Sequence, residues 1–355
     1  SFHRISVPEA PSAGETGRSL SGNGKNNCRV TGIGSAALMT AMAQGLRDST
    51  FLNYAIAVFI IAAVIYLAVL QFWVLVRTRK HLGEMQSAYS EIEIQRSELQ
   101  LRNKDLTDSL NYARRIQAAL LPAEHHIRKI FPDYFIYYRP KHIVSGDFYW
   151  FSERDDKYFI AAADCTGHGV PGALMSMIGL ELIQKIVNEM RVDDTDQVLI
   201  TMNRELESAF FKEESGKALI KDGIEMGICV IDRKTMVMEF SGAFLPVYIV
   251  RDDKLIEIKG DKKNVVQSFA MVSFNRSTFT LQQGDILYLF SDGYADQFGG
   301  PENKKFMYRR LRHILLTISK YPLADQERIL DETITSWMEG HDQIDDMMIL
   351  GVRPF

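Results

Sequence analysis

Four acidic signals in this 355-residue chain have the residue types and settings to do chemistry together. They are Asp147 in SGDFYWF, Asp164 in AAADCTGHGVPGA, Asp292 in YLFSDGYAD, and Asp345 with Asp346 in QIDDMMILGV. Three of them follow or precede strongly apolar runs, so a rigid sheet edge would project the carboxylates. Carboxylates held close together raise one another's pKa unless a cation neutralises them. No Lys or Arg cluster lies beside them in sequence to do that. An all-oxygen donor set suits hard octahedral cations such as Mg²⁺ or Mn²⁺. Taken singly, each Asp beside Gly also reads as an ordinary turn former. Repetition of strand, acid and glycine at separate places favours the metal reading, although spacing alone names no reaction.

The remaining reactive side chains are few. Cys28, Cys165 and Cys229 show no close pairing, which argues against a disulfide framework and against zinc. Cys165 as a thiolate nucleophile would need a basic residue in its loop, and none is present. His168 is a candidate general acid, with a hydrogen-bonding role in its loop as the alternative. A net charge of −4 gives no reason to expect nucleic acid as a partner.

The elements that must position these groups can be read from periodicity. Strand-like runs fall at Phe135–Tyr138, Asp147–Phe151, Tyr158–Ala163, Glu225–Ile231, Val237–Phe240, Val247–Val250, Ile286–Phe290 and Met347–Val352. Helical spacing marks Pro171–Met190, Gln197–Phe211, Lys304–Ser319 and Ala324–Glu339, with Pro171 in a first-turn position. The elements are grouped rather than strictly alternating, which predicts an α+β layered fold.

Upstream lie three different regimes. Residues 1–31 are rich in Gly, Ser, Asn and Pro and read as loosely structured, within an N-terminal segment 1–52 that is flexible or extracytoplasmic. An opening Ser is compatible with a truncated or processed N-terminus and a missing upstream sensor. Residues 53–76 form a charge-free run of the length a bilayer-spanning helix requires. Arg77, Arg79 and Lys80 follow at once, which places the C-terminal side in the cytoplasm. Over 77–121 a heptad begins with Leu82 at a, and every d position is apolar (Met85, Ile92, Leu99, Leu106, Ala113, Leu120). Half of the a positions are polar: Arg96, Asn103 and Gln117. Such a seam predicts a parallel homodimer of modest stability, the alternative being one amphipathic helix packed on the next domain. Pro122 ends the helix.

The segments SGDFYWF, ADCTGHGVPGALMSMIG, LFSDGYADQFGG and the terminal DDMMILG, in that order, resemble the SpoIIE-type branch of the metal-dependent protein phosphatases, the protein phosphatase 2C superfamily. The likeness spans about residues 110–355, including LNYARRIQAALLP, with the phosphatase domain itself at 131–355. It implies a central antiparallel β-sandwich flanked by helices, two Mn²⁺ or Mg²⁺ ions, and hydrolysis of phosphoserine or phosphothreonine on a protein. Carried onto this chain, Asp164 is the bridging metal ligand and Cys165 offers only its backbone carbonyl. Asp147 binds metal directly or through water. Asp292 and Asp345 complete the set, with Asp346 as a substitute for the last. Gly167 and Gly169 let the backbone turn tightly beside the metals and the phosphate. The resemblance implies attack by metal-activated water, without a covalent phospho-enzyme, on a partner-switching phosphoprotein of the STAS (anti-anti-sigma) type.

Two segments depart from the family pattern. Phe244 and Leu245 stand where Asn or His is usual, and Asn264, Val265 and Val266 replace a Pro-Ile-Gly-like turn. Neither change removes a ligand, but both alter the approach to the site. They keep open a second class of function, a catalytically silent scaffold of the same fold. A third is a metal-dependent hydrolase of small phosphate esters.

Overall fold

The computed structural model describes residues 35–167, 169–210, 223–265 and 272–355. The chain divides into two units, Ser1–Ile94 and Gln95–Phe355. In the first, helix α1 begins at Ser35; the helix runs to Leu120. Its residues 53–76 are exposed almost throughout, and by length and composition they are apolar enough to cross a membrane.

In the second unit α1 stops at Leu120, two residues before Pro122, whose ring would clash with the preceding turn. There follow α2 (Glu124–Ile130), β1 (Asp133–Arg139), β2 (Phe148–Arg154), β3 (Lys157–Cys165) and α3 (Val170–Gln184), the last ending in a π-turn over Lys185–Glu189. Next are α4 (Thr195–Phe210), β4 (Ile224–Asp232), β5 (Val237–Ala243), β6 (Val247–Arg251), β7 (Lys254–Ile258), β8 (Ser277–Thr280) and β9 (Ile286–Phe290). The chain closes with α5 (Gly293–Asp296), the two-residue strands β10 (Phe298–Gly299) and β11 (Lys304–Lys305), α6 (Tyr308–Ile318), α7 (Leu323–Met338) and β12 (Met347–Arg353).

Two five-stranded sheets, ordered β1-β12-β9-β6-β7 and β2-β3-β4-β5-β8, are antiparallel throughout. Side chains alternate faces along a strand, and β3 shows the consequence. Tyr158, Ile160 and Ala162 face the other sheet, meeting Leu287, Leu289 and Leu350 in one core. Phe159, Ala161 and Ala163 face outward and meet Met175 and Leu180 of α3 and Val198 and Met202 of α4. On the opposite side Tyr288 and Phe290 pack against Leu311 and Leu315 of α6 and Leu330 and Ile334 of α7. The result is a four-layer sandwich, helices outside and sheets inside. Each large apolar side chain so buried contributes about 1.5–3 kcal/mol relative to exposure.

All eight expected strands form, β2 starting at Phe148 rather than Asp147. Lys254–Ile258 and Ser277–Thr280 add strands that the hydrophobic pattern concealed, because both lie at sheet edges and bury little. The helix expected from Lys304 starts at Tyr308, since Lys304 and Lys305 pair with Phe298 and Gly299.

Candidate active site

Four strand ends meet at one end of the sandwich. Phe148 pairs with Ala163, which puts Asp147 at the start of β2 beside Asp164 near the end of β3. In the other sheet Phe290 pairs with Ile349, so Asp292 just past β9 and Asp345 just before β12 also lie together. The Ser291 N–H donates to Met348 O at 3.0 Å and the Met348 N–H donates to Ser291 Oγ at 3.0 Å, locking these two ends. Gly293 is required for this approach, because a Cβ there would stand 1.9 Å from Asp346 O.

Asp147 is 2% exposed, and its Oδ2 has no hydrogen-bond partner. Burial pushes its carboxyl well above the usual range; a Ser291 hydrogen bond works against this, and Asp346, Asp345 and Asp292 add repulsion. Burial likewise raises Asp164, helped by Asp147 and Asp292. Asp292 is pushed up to about 6 by burial and by repulsion from Asp296 and Asp345, with Lys305 and Asp164 working against the rise. Buried carboxyl groups that repel one another in this way are relieved by protonation or by a cation among them. Among the described residues no three acidic, His or Cys side chains are already drawn to metal-ligand spacing. The donor set nonetheless fits hard divalent cations: it is all oxygen, mutually repelling, and includes one buried oxygen without any partner.

The two adjacent acids are used differently. Asp346, 3% exposed, accepts the Lys141 N–H at 2.6 Å and the Gly146 N–H at 2.7 Å, one on each oxygen. It therefore pins the loop that carries Asp147. Asp345 accepts only the Asp346 N–H, at 2.9 Å, among hydrogen bonds to its side chain within the described residues. This leaves Asp345 the better placed of the two as a ligand.

Gly167 and Gly169 have φ of 90° and 71°, the left-handed backbone a tight turn beside the site needs. Gly172 is equally constrained, since a Cβ there would lie 2.2 Å from Gly167 O. Cys165 is buried against α3, and burial holds its thiol well above the usual range, so it offers no thiolate. His168 and Val266 lie outside the described residues. Leu245 is buried, closing over Gly242 and Gly260, whereas Phe244 is 40% exposed. Val265 is core, its N–H donating to Ile224 O at 2.9 Å, and Asn264 packs on Gly223.

Three neighbours of the site escaped sequence reasoning. Glu225 pairs with Asp164 across β3 and β4, and its carboxyl is pushed up to about 7 by burial and then by Asp292. A lone Glu at a strand start carried no signal. Asp296 lies one helical turn after Asp292 and binds Lys305 at 2.7 Å. Gln117 is 4% exposed; its amide donates to Ser145 O at 2.6 Å and Ser176 Oγ at 2.8 Å and accepts the Ser145 N–H at 3.2 Å. Its polar character at a heptad a position was the available clue. In this chain that a position is turned into its own catalytic unit rather than toward a second helix.

Comparison with known proteins agrees with this geometry. The family model for Stage II sporulation protein E (SpoIIE) matches residues 154–355. The SiaA PP2C domain of Pseudomonas aeruginosa is 30% identical, with a TM-score of 0.64, covering 71% of this chain and 98% of that one. A structure of the PP2C phosphatase domain of Bacillus subtilis SpoIIE, with a fragment of its regulatory domain, shares the fold. It is 20% identical, with a TM-score of 0.52 and 62% of each chain covered. No curated protein sequence matches the chain.

Proposed function

This chain belongs to the SpoIIE family of PP2C-type serine/threonine phosphatases, metal-dependent hydrolases, and from that premise we propose a membrane-anchored phosphatase of a partner-switching phosphoprotein. The observation that carries the catalytic part is the unpartnered Asp147 Oδ2, buried among Asp164, Asp292 and Asp345 at four converging strand ends. Those four side chains, with the Cys165 carbonyl, would hold two Mn²⁺ or Mg²⁺ ions. When bound, such ions supply hydroxide at neutral pH and neutralise charge on the phosphoryl oxygens.

The protein's own groups prepare the site. Asp346 fixes the loop from Lys141 to Gly146 and so fixes Asp147. Ser291 ties the Asp292 turn to the strand that follows Asp345. Gln117 carries the C-terminal end of α1 to the same loop through Ser145. Membrane attachment is supported by the exposed, charge-free 53–76 run, and a cytoplasmic catalytic unit by the basic residues after it. The heptad upstream of Gln117 supports a homodimer whose linker sets activity, and a STAS-type substrate follows from the family resemblance alone.

The test is Mn²⁺-dependent phosphate release from a phosphoprotein and from small phosphate esters, with Asp164→Asn and Asp292→Asn as controls. Activity that survives both substitutions would sink the metal mechanism, and activity on small esters alone would sink the protein-substrate reading.

A further inference from the structure

Among the described non-glycine residues with left-handed φ, most are Asp, Asn or Arg in turns; the large apolar ones are Met236, Phe244 and Met307. Of these three, Phe244 (φ 61°) and Met307 (φ 72°) are the exposed ones, at 40% and 54%, whereas Met236 is half-buried. A bulky side chain in this region is disfavoured, whereas Gly adopts it freely. Both backbones are tied in place: the Phe244 N–H donates to Asp261 O at 2.7 Å, and the Met307 N–H donates to Ala295 O at 2.6 Å.

Both also flank the carboxylate end of the sandwich. Asp164 pairs with Glu225, and the neighbouring Met226 pairs with Ala243, so Phe244 leaves β5 in the next strand position beyond Glu225. Two strand spacings separate Phe244 from Asp164, roughly 10 Å. Met307 is bonded to the helical turn that begins immediately after Asp292, and Tyr308 beside it feels the charges of Asp292, Asp296 and Glu225. A polypeptide held by its phosphoryl group among the aspartates advances about 3.3–3.6 Å per residue when extended. About three residues therefore cover the distance from Asp164 to Phe244, and Met307 is tied to the turn that follows Asp292.

We propose that Phe244 and Met307 form an apolar rim that selects protein substrates with an aliphatic or aromatic side chain within three positions of the phosphoserine or phosphothreonine. The inference rests on the phosphatase reading above. Strain retained at two exposed apolar positions, where glycine would relieve it, is explained by a contact made outside the folded chain.

The experiment uses the full chain in detergent with Mn²⁺ and two synthetic phosphoserine peptides. These differ only in carrying Leu or Asp at the positions within three residues of the phosphoserine. Wild type should favour the Leu peptide by about tenfold in kcat/KM, a difference one buried aliphatic side chain supplies. In Phe244→Gly with Met307→Gly the preference should collapse towards one, with the loss in KM. The thermal midpoint should not fall, because glycine relieves the left-handed backbone, and Phe244→Leu should keep most of the preference. Equal wild-type rates on both peptides, or a preference that persists in the double glycine variant, would overturn the rim while leaving the phosphatase reading standing. Wild type that releases phosphate from neither peptide would overturn both.

Discussion

The side chain of Gln117 brackets Ser145, donating to its carbonyl oxygen at 2.6 Å and accepting its N–H at 3.2 Å. Ser145 in turn accepts the Asp147 N–H on its Oγ at 3.0 Å. The last turn of the long helix is thus two hydrogen bonds from a proposed metal ligand.

Gln117→Ala leaves the Ser145 N–H and carbonyl without this partner in a buried place, at a cost of about 1–3 kcal/mol. The expected outcome is a folded protein whose half-saturating Mn²⁺ concentration rises by roughly tenfold or more. A Mn²⁺ titration of phosphate release checks this, and an unchanged titration would remove Gln117 from the coupling.

Asp345 and Asp346 should separate cleanly. Asp346→Ala removes the acceptor for two backbone N–H groups and should lower unfolding stability by about 3 kcal/mol. Asp345→Asn should leave stability nearly unchanged yet cut Mn²⁺-dependent turnover at least about 100-fold, since a ligand is lost. Denaturant melts and initial rates on the same preparations distinguish the two roles.

The pH dependence of the metal-free protein follows from burial. Asp292 is raised from the usual carboxylate range to about 6 and Glu225 to about 7, so the native state holds more protons than the unfolded chain between about pH 4 and 7. Stability is therefore greatest below this window and is lost as pH rises through it. With EDTA present, the melting temperature should fall between pH 5 and 8, and Asp164→Asn should flatten the fall. Added Mn²⁺ should raise the melting temperature more at pH 8 than at pH 6, because metal and protons compete for the same oxygens. A melting temperature that climbs with pH in EDTA would refute the assignment.

The two units make a prediction of their own. The full chain should sediment with membranes and require detergent for release, whereas a chain beginning at Gln95 should remain in the soluble fraction. If the linker tunes activity, the shortened protein should differ from the full chain in specific activity and in oligomeric state. Identical values in both measurements would argue against control through the helix.

Much of this was legible without coordinates. Period-two and period-3.6 patterns located the central strands and the four helices of the sandwich, because residues such as Ile160 and Leu289 are buried on rigid, regular elements. Edge strands such as Ser277–Thr280 were not legible, since a strand paired on one side and half-exposed leaves little apolar pattern. Asp147, Asp164 and Asp292 were visible because each sits where an apolar strand meets a glycine turn, and Asp345 because it directly precedes an apolar strand. Glu225, Asp296 and Gln117 were not, because their roles depend on a strand partner, a cross-turn ion pair and a contact 28 residues away.

The sequence by itself determined the fold class and the family, both of which depend on local pattern and motif order. Only the tertiary structure decided that, of two adjacent acids, Asp346 is the one taken up by the backbone N–H groups of Lys141 and Gly146. It also decided that Gln117 turns into its own catalytic unit and that Phe244, not Leu245, is presented at the surface. Those outcomes rest on hydrogen-bond direction and on which side of a strand crossover is buried, and neither is encoded in residue spacing.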